Sequence, residues 1–337
     1  MNTNLLQTRI DALQALGYTE DEARFLYLVA THSGYFVARQ FLCFTGASWG
    51  KRTTLFWNKL QAGQHARTYR FAKGGTAYHL FSRKVYRQIG RENLRNRREH
   101  ELEYIRARIA ILDFVLGNLD LDYLETEPDK VAFFCTELQL PKHHLPSKTY
   151  SGRYTATPTV RYFVDRSPMF FPASPVKSRI VTFTYIQGAE ANLMGFVHHL
   201  QMYLPLFREL SAFRFLFVAR ENAHFAKASE LFRDLVTIPL QLNPAEDLLR
   251  YFTIRRAWDL AQYTSLTEGD LIFRNLAKER FAGARFEHLY RAWKPGRLAD
   301  AEIRADLSGS DKLHAVQFDT QVLRAIGPSD RETEANR

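Results

Sequence analysis

The strongest constraint on the fold of this chain is a change of period near its N-terminus. Three stretches with helical spacing of apolar residues are followed by two that alternate. Thr19 and Glu22 stand at the spacing of a capping box, in which each side chain satisfies a free amide of the first helical turn. Behind them Ala23, Leu26, Tyr27 and Ala30 recur at i, i+3, i+4 and i+7, so this helix buries one stripe before Ser33 and Gly34 stop it. A short second helix is predicted over about Phe36 to Phe44. Thr45, Gly46 and Ala47 make a tight connection, and Ser48 is placed to cap a third helix running to about Gln61, with Gly63 as its stop. Arg67 to Ala72 and Thr76 to Leu80 then alternate around Lys73-Gly74-Gly75, a hairpin turn signal. Ser82 caps a short basic helix through Ile89, closed by Gly90.

This order of elements resembles a winged helix-turn-helix, with the hairpin as the wing. On a helical wheel the third helix turns Trp49, Thr53, Phe56 and Leu60 to one face and Lys51, Thr54 and Asn58 to the other, flanked by Arg52 and Lys59. Such a helix in a major groove offers Lys51, Arg52 and Asn58 to base edges and Lys59 to phosphate. On the wing, Arg67 and Arg70 precede Lys73 at the tip, where cations suit the minor groove or the backbone. Arg83 and Lys84, on the helix that follows, complete the candidate DNA-binding set. Trp57, Tyr69, Phe71 and Tyr78, interleaved with these cations, are expected to pack beneath the wing rather than stack on bases.

The charge distribution supports a polyanionic partner. From Phe36 through Arg91 there are 11 Lys or Arg residues and no Asp or Glu. Extending the window to Ala110 gives 16 basic and 4 acidic residues, +12 against a whole-chain charge of +10, which leaves −2 for the rest. A solvated face usually mixes both signs, so a one-sign stretch of this length is expected to repel itself unless a polyanion compensates.

From Glu92 to Leu116 the pattern becomes that of a long helix in which Leu102, Ile105, Ile109, Leu112 and Leu116 step by 3, 4, 3 and 4. Two heptads fall short of a coiled coil, so packing against its own domain is favoured and a homodimer through residues 102–116 stays open. Arg91, Arg95, Arg97 and Arg98 at its start are further candidates for phosphate contact. The predicted organisation is a DNA-binding domain over 1–92, a helical connector over 93–126, an α/β domain with C-terminal helices over 127–327, and a disordered tail over 328–337. Within the third part, Pro141 to Pro158 reads as a surface connection, and strands are expected at Arg161 to Asp165, Ile180 to Ile186 and Phe213 to Ala219. Helices at about 190–204 and 224–235 follow the last two, an alternation that implies parallel strands and a right-handed crossover. After Asn243 the chain reads mostly helical.

The whole arrangement resembles the replication-relaxation family of bacterial mobile elements, with a winged helix before a restriction-endonuclease-like α/β core. The residues that carry the likeness are Tyr78-His79-Leu80-Phe81-Ser82, Arg98-Glu99-His100-Glu101-Leu102, Glu127-Pro128-Asp129-Lys130-Val131-Ala132-Phe133-Phe134 and Val181-Thr182-Phe183-Thr184-Tyr185-Ile186. The resemblance implies a mixed α+β or α/β fold and work on plasmid or integrative and conjugative element DNA, as a replication or relaxation accessory beside a relaxase or replication protein. A working nuclease of that core needs carboxylates for Mg²⁺ and a nearby lysine. The strand that should carry a Glu-x-Lys pair reads Val181 to Gln187 with neither, Asp165 stands alone upstream, and Asn192 follows Glu190 where a second acid is wanted. The core is therefore read as degenerate: no catalytic residue, no metal and no cofactor are expected. The adjacent pairs His143-His144 and His198-His199 point in different directions and suit surface or core better than a metal clamp. Cys43 and Cys135 lack disulfide or zinc spacing, and no apolar run spans a bilayer, so a cytoplasmic, non-enzymatic, double-stranded-DNA-binding protein is expected. A metal-dependent nuclease with a divergent site and a protein-docking adaptor are the alternatives.

Overall fold

The structure is a computed structural model, and it describes residues 3–71, 75–151, 158–165, 167–172, 180–188, 192–241, 244–308 and 315–325. The predicted wing tip at Lys73, the acid Glu190 and the C-terminal tail lie outside the described residues. Contacts divide the chain into two compact units, residues 1–235 with 316–337 and residues 236–315. No helix among the described residues is long and apolar enough to cross a membrane.

The first unit opens with α1 (Thr3–Gln14) and α2 (Glu20–Leu28). The predicted capping box is present: Thr19 N–H donates to Glu22 Oε2 at 2.8 Å, and Glu22 N–H donates to Thr19 Oγ1 at 3.4 Å. A π-helical turn over Val29–Ser33 ends at Gly34 with φ +83°. Any side chain there is strained, and its Cβ would collide with the Asn96 carbonyl, so glycine is required twice over. Residues predicted to begin the second helix form a strand instead, β1 (Tyr35–Val37), and α3 (Ala38–Thr45) starts after it. Three apolar residues in a row fit either state, and the ladder to a distant strand decides between them.

Next come α4 (Lys51–Ala62), β2 (Ala66–Arg70), β3 (Thr76–Leu80) and α5 (Arg83–Gln88). Ser48 does not cap α4. Gly50 does, donating its N–H to Thr53 Oγ1 at 3.1 Å, and Trp49 is 66% exposed rather than on the buried stripe. Ser82 holds the N-cap position of α5 without a side-chain bond. The three strands form an antiparallel sheet in the order β1-β3-β2. Beneath it Phe25, Phe36, Phe41 and Phe56 are fully buried, with Phe41 and Phe56 stacked at 4.0 Å between ring centroids.

The helix predicted from Glu92 begins only at Leu102, as α6 (Leu102–Leu116). Before it the chain makes a 3₁₀ turn at Arg95–Arg97, and Asn96 is buried because its Nδ2 donates to the Ala30 and Thr31 carbonyls at 2.8 and 2.9 Å. Of the heptad seam only Leu102 is exposed. Ile105 and Ile109 pack with Tyr35 and Ala77, Leu112 and Leu116 enter the core with Phe25 and Phe56, and the opposite face packs Phe114 and Val115 with Phe170 and Val218. A homodimer through 102–116 is thereby corrected: four of the five seam residues, Ile105, Ile109, Leu112 and Leu116, are already covered within the same chain. Residues 93–126 are a shared core element of the first unit and not a separable connector.

The remainder of that unit holds β4 (Asp122–Tyr123), α7 (Glu127–Ala132), β5 (Ser147–Tyr150), β6 (Thr159–Tyr162), β7 (Met169–Phe171), β8 (Thr182–Ile186), α8 (Met194–Phe207), β9 (Ala212–Ala219), α9 (Phe225–Phe232) and β10 (Ala315–Val322). Five strands form one sheet in the order β10-β9-β8-β7-β4. β8 and β9 pair in parallel across α8, as the alternation predicted, while β7 runs antiparallel to β8. The strand expected at 161–165 lies earlier, as β6, and among the described residues pairs only with β5, in a separate ribbon. β7 and β10 were not anticipated. The second unit is helical, α10 (Ile238–Gln241), α11 (Pro244–Asp259), α12 (Glu268–Arg280), α13 (Ala284–Trp293) and α14 (Asp300–Ser308), around Leu248, Phe252, Tyr290 and Ile303. The predicted 127–327 region therefore divides between the two units, and the architecture as a whole mixes α and β.

Candidate nucleic-acid interface

Helix α4 is built as an amphipathic rod. Thr53, Phe56 and Leu60 are buried, while Lys51, Arg52, Thr54 and Asn58 are exposed. Thr54 Oγ1 donates back to the Gly50 carbonyl at 3.2 Å, so its hydroxyl is already partnered. Trp57 at the edge of this face stacks on Tyr78 with ring centroids 4.5 Å apart and planes 2° from parallel, and Tyr78 stacks in turn on Phe36. Tyr69 and Phe71 pack against the cluster of Tyr35, Ala77, Ile105 and Ile109. These aromatics therefore pack against the hairpin, as expected from sequence, Trp57 and Tyr78 on one face and Tyr69 with Phe71 against the cluster on the other.

Because residues directly opposite in an antiparallel ladder share a face, the register sorts the hairpin cations. Thr68 opposes Tyr78 and Arg70 opposes Thr76, which puts Arg70 on the sheet face stacked against α4. Arg67 opposes His79 on the other face. There its guanidinium lies 4.3 Å from the Phe81 ring centroid and 4.0 Å from Glu99. Two arginines three positions apart in a strand cannot serve the same surface.

The carboxylate-free stretch is not left uncompensated within the protein. Carboxylates from outside it return by tertiary contact: Asp21 to Arg52, Glu22 to Lys59 at 2.7 Å, Asp113 to Arg39 at 2.7 Å, Glu99 to Arg67, Glu92 to Arg83 at 3.5 Å and to Arg87 at 3.2 Å, and Glu125 to Arg91. This corrects the premise that only a polyanion could relieve the self-repulsion. Asp21 and Glu22 were legible as acids of a first helical turn, yet nothing local showed which cation they meet.

The pairs differ in how firmly they hold. Arg52 with Asp21, Arg67 with Glu99, and Arg83 and Arg87 with Glu92 are mostly exposed, and such pairs contribute about 0–1 kcal/mol, so a phosphate can replace the carboxylate. Glu22 is 2% exposed and also accepts from the Thr19 amide, so Lys59 is anchored to α2 and directed inward. Lys51, Arg70 and Lys84 are exposed and have no acidic partner among the described residues. Burial, together with the charge of Lys84, holds His65 below its ordinary pKa, which places Lys84 beside the junction of α4 and β2. The structure thus groups Lys51, Thr54, Asn58 and Arg70 about α4, with Arg52, Arg83 and Lys84 available nearby.

Asp165, the carboxylate considered for a metal, occupies the turn after β6. Its Oδ2 lies 2.7 Å from His199 Nδ1, and its Oδ1 accepts from Tyr203 Oη at 3.0 Å and from the Ser167 amide at 3.2 Å. Burial alone would raise its pKa, but the hydrogen bond and charge of His199, with Lys130, hold it at about 2. It ties that turn to α8. Among the described residues no group of three or more His, Cys, Asp or Glu side chains is placed to hold a metal ion. No protein-family model, curated protein or solved structure matches this chain.

Proposed function

We propose that this protein binds double-stranded DNA without acting on it chemically, through an N-terminal module that works as a winged helix-turn-helix. The observation that carries the reading is the placement of Lys51, Thr54 and Asn58 on the open side of α4, with Arg70 on the hairpin face that α4 packs against and no carboxylate opposite Lys51 or Arg70 among the described residues. A face with cations and an amide suits phosphates along the groove and base edges within it. The resemblance to the replication-relaxation family gives the setting: a cytoplasmic replication or relaxation accessory, or a regulator, of a plasmid or integrative and conjugative element, beside a relaxase or replication protein.

The test uses the full chain, because a fragment cut at residue 92 loses the Leu112 and Leu116 side chains that complete the N-terminal core. With about five phosphates neutralised, log affinity should fall with log salt at a slope near −4.5, roughly a 500-fold loss from 50 to 200 mM. On a duplex chosen by selection, Lys51→Ala or Asn58→Ala should cost about 1–3 kcal/mol and relax preference at one base pair. Absence of binding at low salt, or identical losses on scrambled duplexes for both variants, would sink the assignment. Supercoiled plasmid with Mg²⁺ or Mn²⁺ should show no nicking. A protein-docking role for the same face is the second reading, favoured by the exposure of Trp49 and Leu55 beside the cations, 66% and 48%.

A further inference from the structure

The first unit contains a cavity of about 750 Å³, lined by residues of α1, the π-helical turn, the 87–96 segment, α6, the 123–130 segment, the 161–164 segment and residues 167 and 168. Its most unusual lining residue is Arg108. In the middle of α6, beside the buried Ile105 and Ile109, this side chain is 2% exposed. Its Nε donates to the Ser33 carbonyl at 3.1 Å, and its Nη2 donates to the His32 carbonyl and to Asn96 Oδ1 at 3.3 Å. All three acceptors are neutral. Its Nη1 is buried and has no partner among the described residues. A buried guanidinium bonded to no anion is costly, and a trapped water would satisfy the donor without satisfying the charge.

Asp165 acts on Arg108 through space without bonding to it, and its oxygens are taken by His199, Tyr203 and the Ser167 amide. The four acids lining the cavity are engaged elsewhere. Glu125 is held by Arg91 and by the Tyr27 hydroxyl, and Glu92 by Arg83 and Arg87. Glu127 accepts from the Tyr162 amide, and Asp129 closes the cap at Thr126. Arg9 and Arg95 line the same cavity without an acidic partner among the described residues, Arg9 donating to the Tyr27 hydroxyl at 3.2 Å and Arg95 lying over the Tyr150 ring. Lining cations Arg9, Arg87, Arg91, Arg95, Arg108, Lys130 and Arg161 against four acids give 7 − 4 = +3. His32 reports the same field: burial first, then the charges of Arg91, Arg108 and Lys130, hold its pKa down at about 3.

We propose that this cavity binds a phosphomonoester the size of a nucleoside monophosphate, with its dianion drawn to Arg108, Arg95 and Arg9. Planar guanidinium forks suit phosphate oxygens, and the volume falls within the range of small-molecule sites, far larger than phosphate alone requires. Tyr162, half-buried, is among the lining residues and is the ring offered to a base, whereas Tyr123 is packed against His32 and Phe170. The same chemistry is presented by a free nucleotide and by the 5′-phosphate of a nucleic-acid strand. The proposal is independent of the duplex-binding face and is measured without duplex DNA.

The experiment is isothermal titration of the full chain with inorganic phosphate, adenosine 5′-monophosphate and adenosine. The monophosphate should bind saturably at one site and adenosine should not. Arg95→Gln should weaken binding at least tenfold, the scale of one lost charge-assisted hydrogen bond, and Arg108→Met should abolish it. Arg220→Gln, which removes the same charge outside the cavity, should change it less than twofold. If Arg108→Met fails to fold, Arg95→Gln carries the test, since that side chain is only partly buried. No saturable binding by either phosphate probe, or equal losses in Arg95→Gln and Arg220→Gln, overturns the site. Binding of inorganic phosphate without the monophosphate overturns the nucleotide assignment. Competition with a trinucleotide carrying or lacking a 5′-phosphate identifies the source: displacement only by the phosphorylated form assigns a strand end, and displacement by neither assigns a free nucleotide.

Discussion

Arg67 and Arg70 make the sharpest comparison in the proposed interface, because they are chemically identical, three residues apart, and on opposite faces of one hairpin. Arg70 lies on the face shared with α4, is exposed, and has no acidic partner among the described residues. Removing one phosphate contact reduces the magnitude of the salt slope by about 0.9. Across a fourfold rise in salt, from 50 to 200 mM, the affinity deficit of Arg70→Ala should therefore shrink by roughly 3.5-fold. Arg67→Ala should leave both the slope and the affinity within twofold of the parent. Its pair with Glu99, with side chains 60% and 63% exposed, and its contact with Phe81 together contribute about 1 kcal/mol of stability at most. Fluorescence anisotropy titrations of labelled duplex at four salt concentrations read both quantities. Equal changes of slope in the two variants, or a larger one in Arg67→Ala, would show that the hairpin meets DNA in another orientation and that the ladder register does not select the contacts.

Three further outcomes follow from the packing. Gly34→Ala should cost about 3–5 kcal/mol, from a strained left-handed φ and from displacement of Asn96 with its two buried donor bonds; hydrogen exchange over residues 20–37 and 102–116 should accelerate, and unchanged protection would refute it. Asp113→Ala should destabilise the first unit by about 3 kcal/mol in urea unfolding, because buried Asp113 accepts both Arg39 nitrogens and Gln40 Nε2, and Gln40 is left buried with one acceptor lost; a loss under 1 kcal/mol would count against it. Burial holds His32 at about 3 and His79 at about 4, below the unfolded value near 6.5. The unfolded chain therefore takes up these protons first, so their contribution to stability is complete above about pH 6.5 and is lost as pH falls toward 4. Thermal melts between pH 7.5 and 4.5 should show this decline, and His79→Gln should flatten it; a melting temperature that does not change over this range contradicts the assignment.

What the sequence by itself determined is local. The capping box at Thr19 and Glu22, the hairpin, the buried faces of α2 and α4, and the parallel pair β8 and β9 each depend on signals within a few residues or on a rule of connection, and they were legible. The strand at 35–37 was not, because three apolar residues have no period and the ladder to Tyr78 and His79 supplies the choice. Nor could local pattern assign the cations. Lys51 and Lys59 stand eight residues apart on one helix, yet one is open to solvent and the other is bound to Glu22, 37 residues earlier in the chain. The cavity around Arg108 was equally hidden: its lining converges from segments as far apart as α1 and residue 168, and nothing in the sequence set Arg108 apart from Arg106 two residues before it, which is exposed. Helix and strand preferences are set by neighbours along the chain, whereas the burial of a charge and the identity of its partner are set by closure of the chain on itself, which brings together residues whose separation carries no local trace.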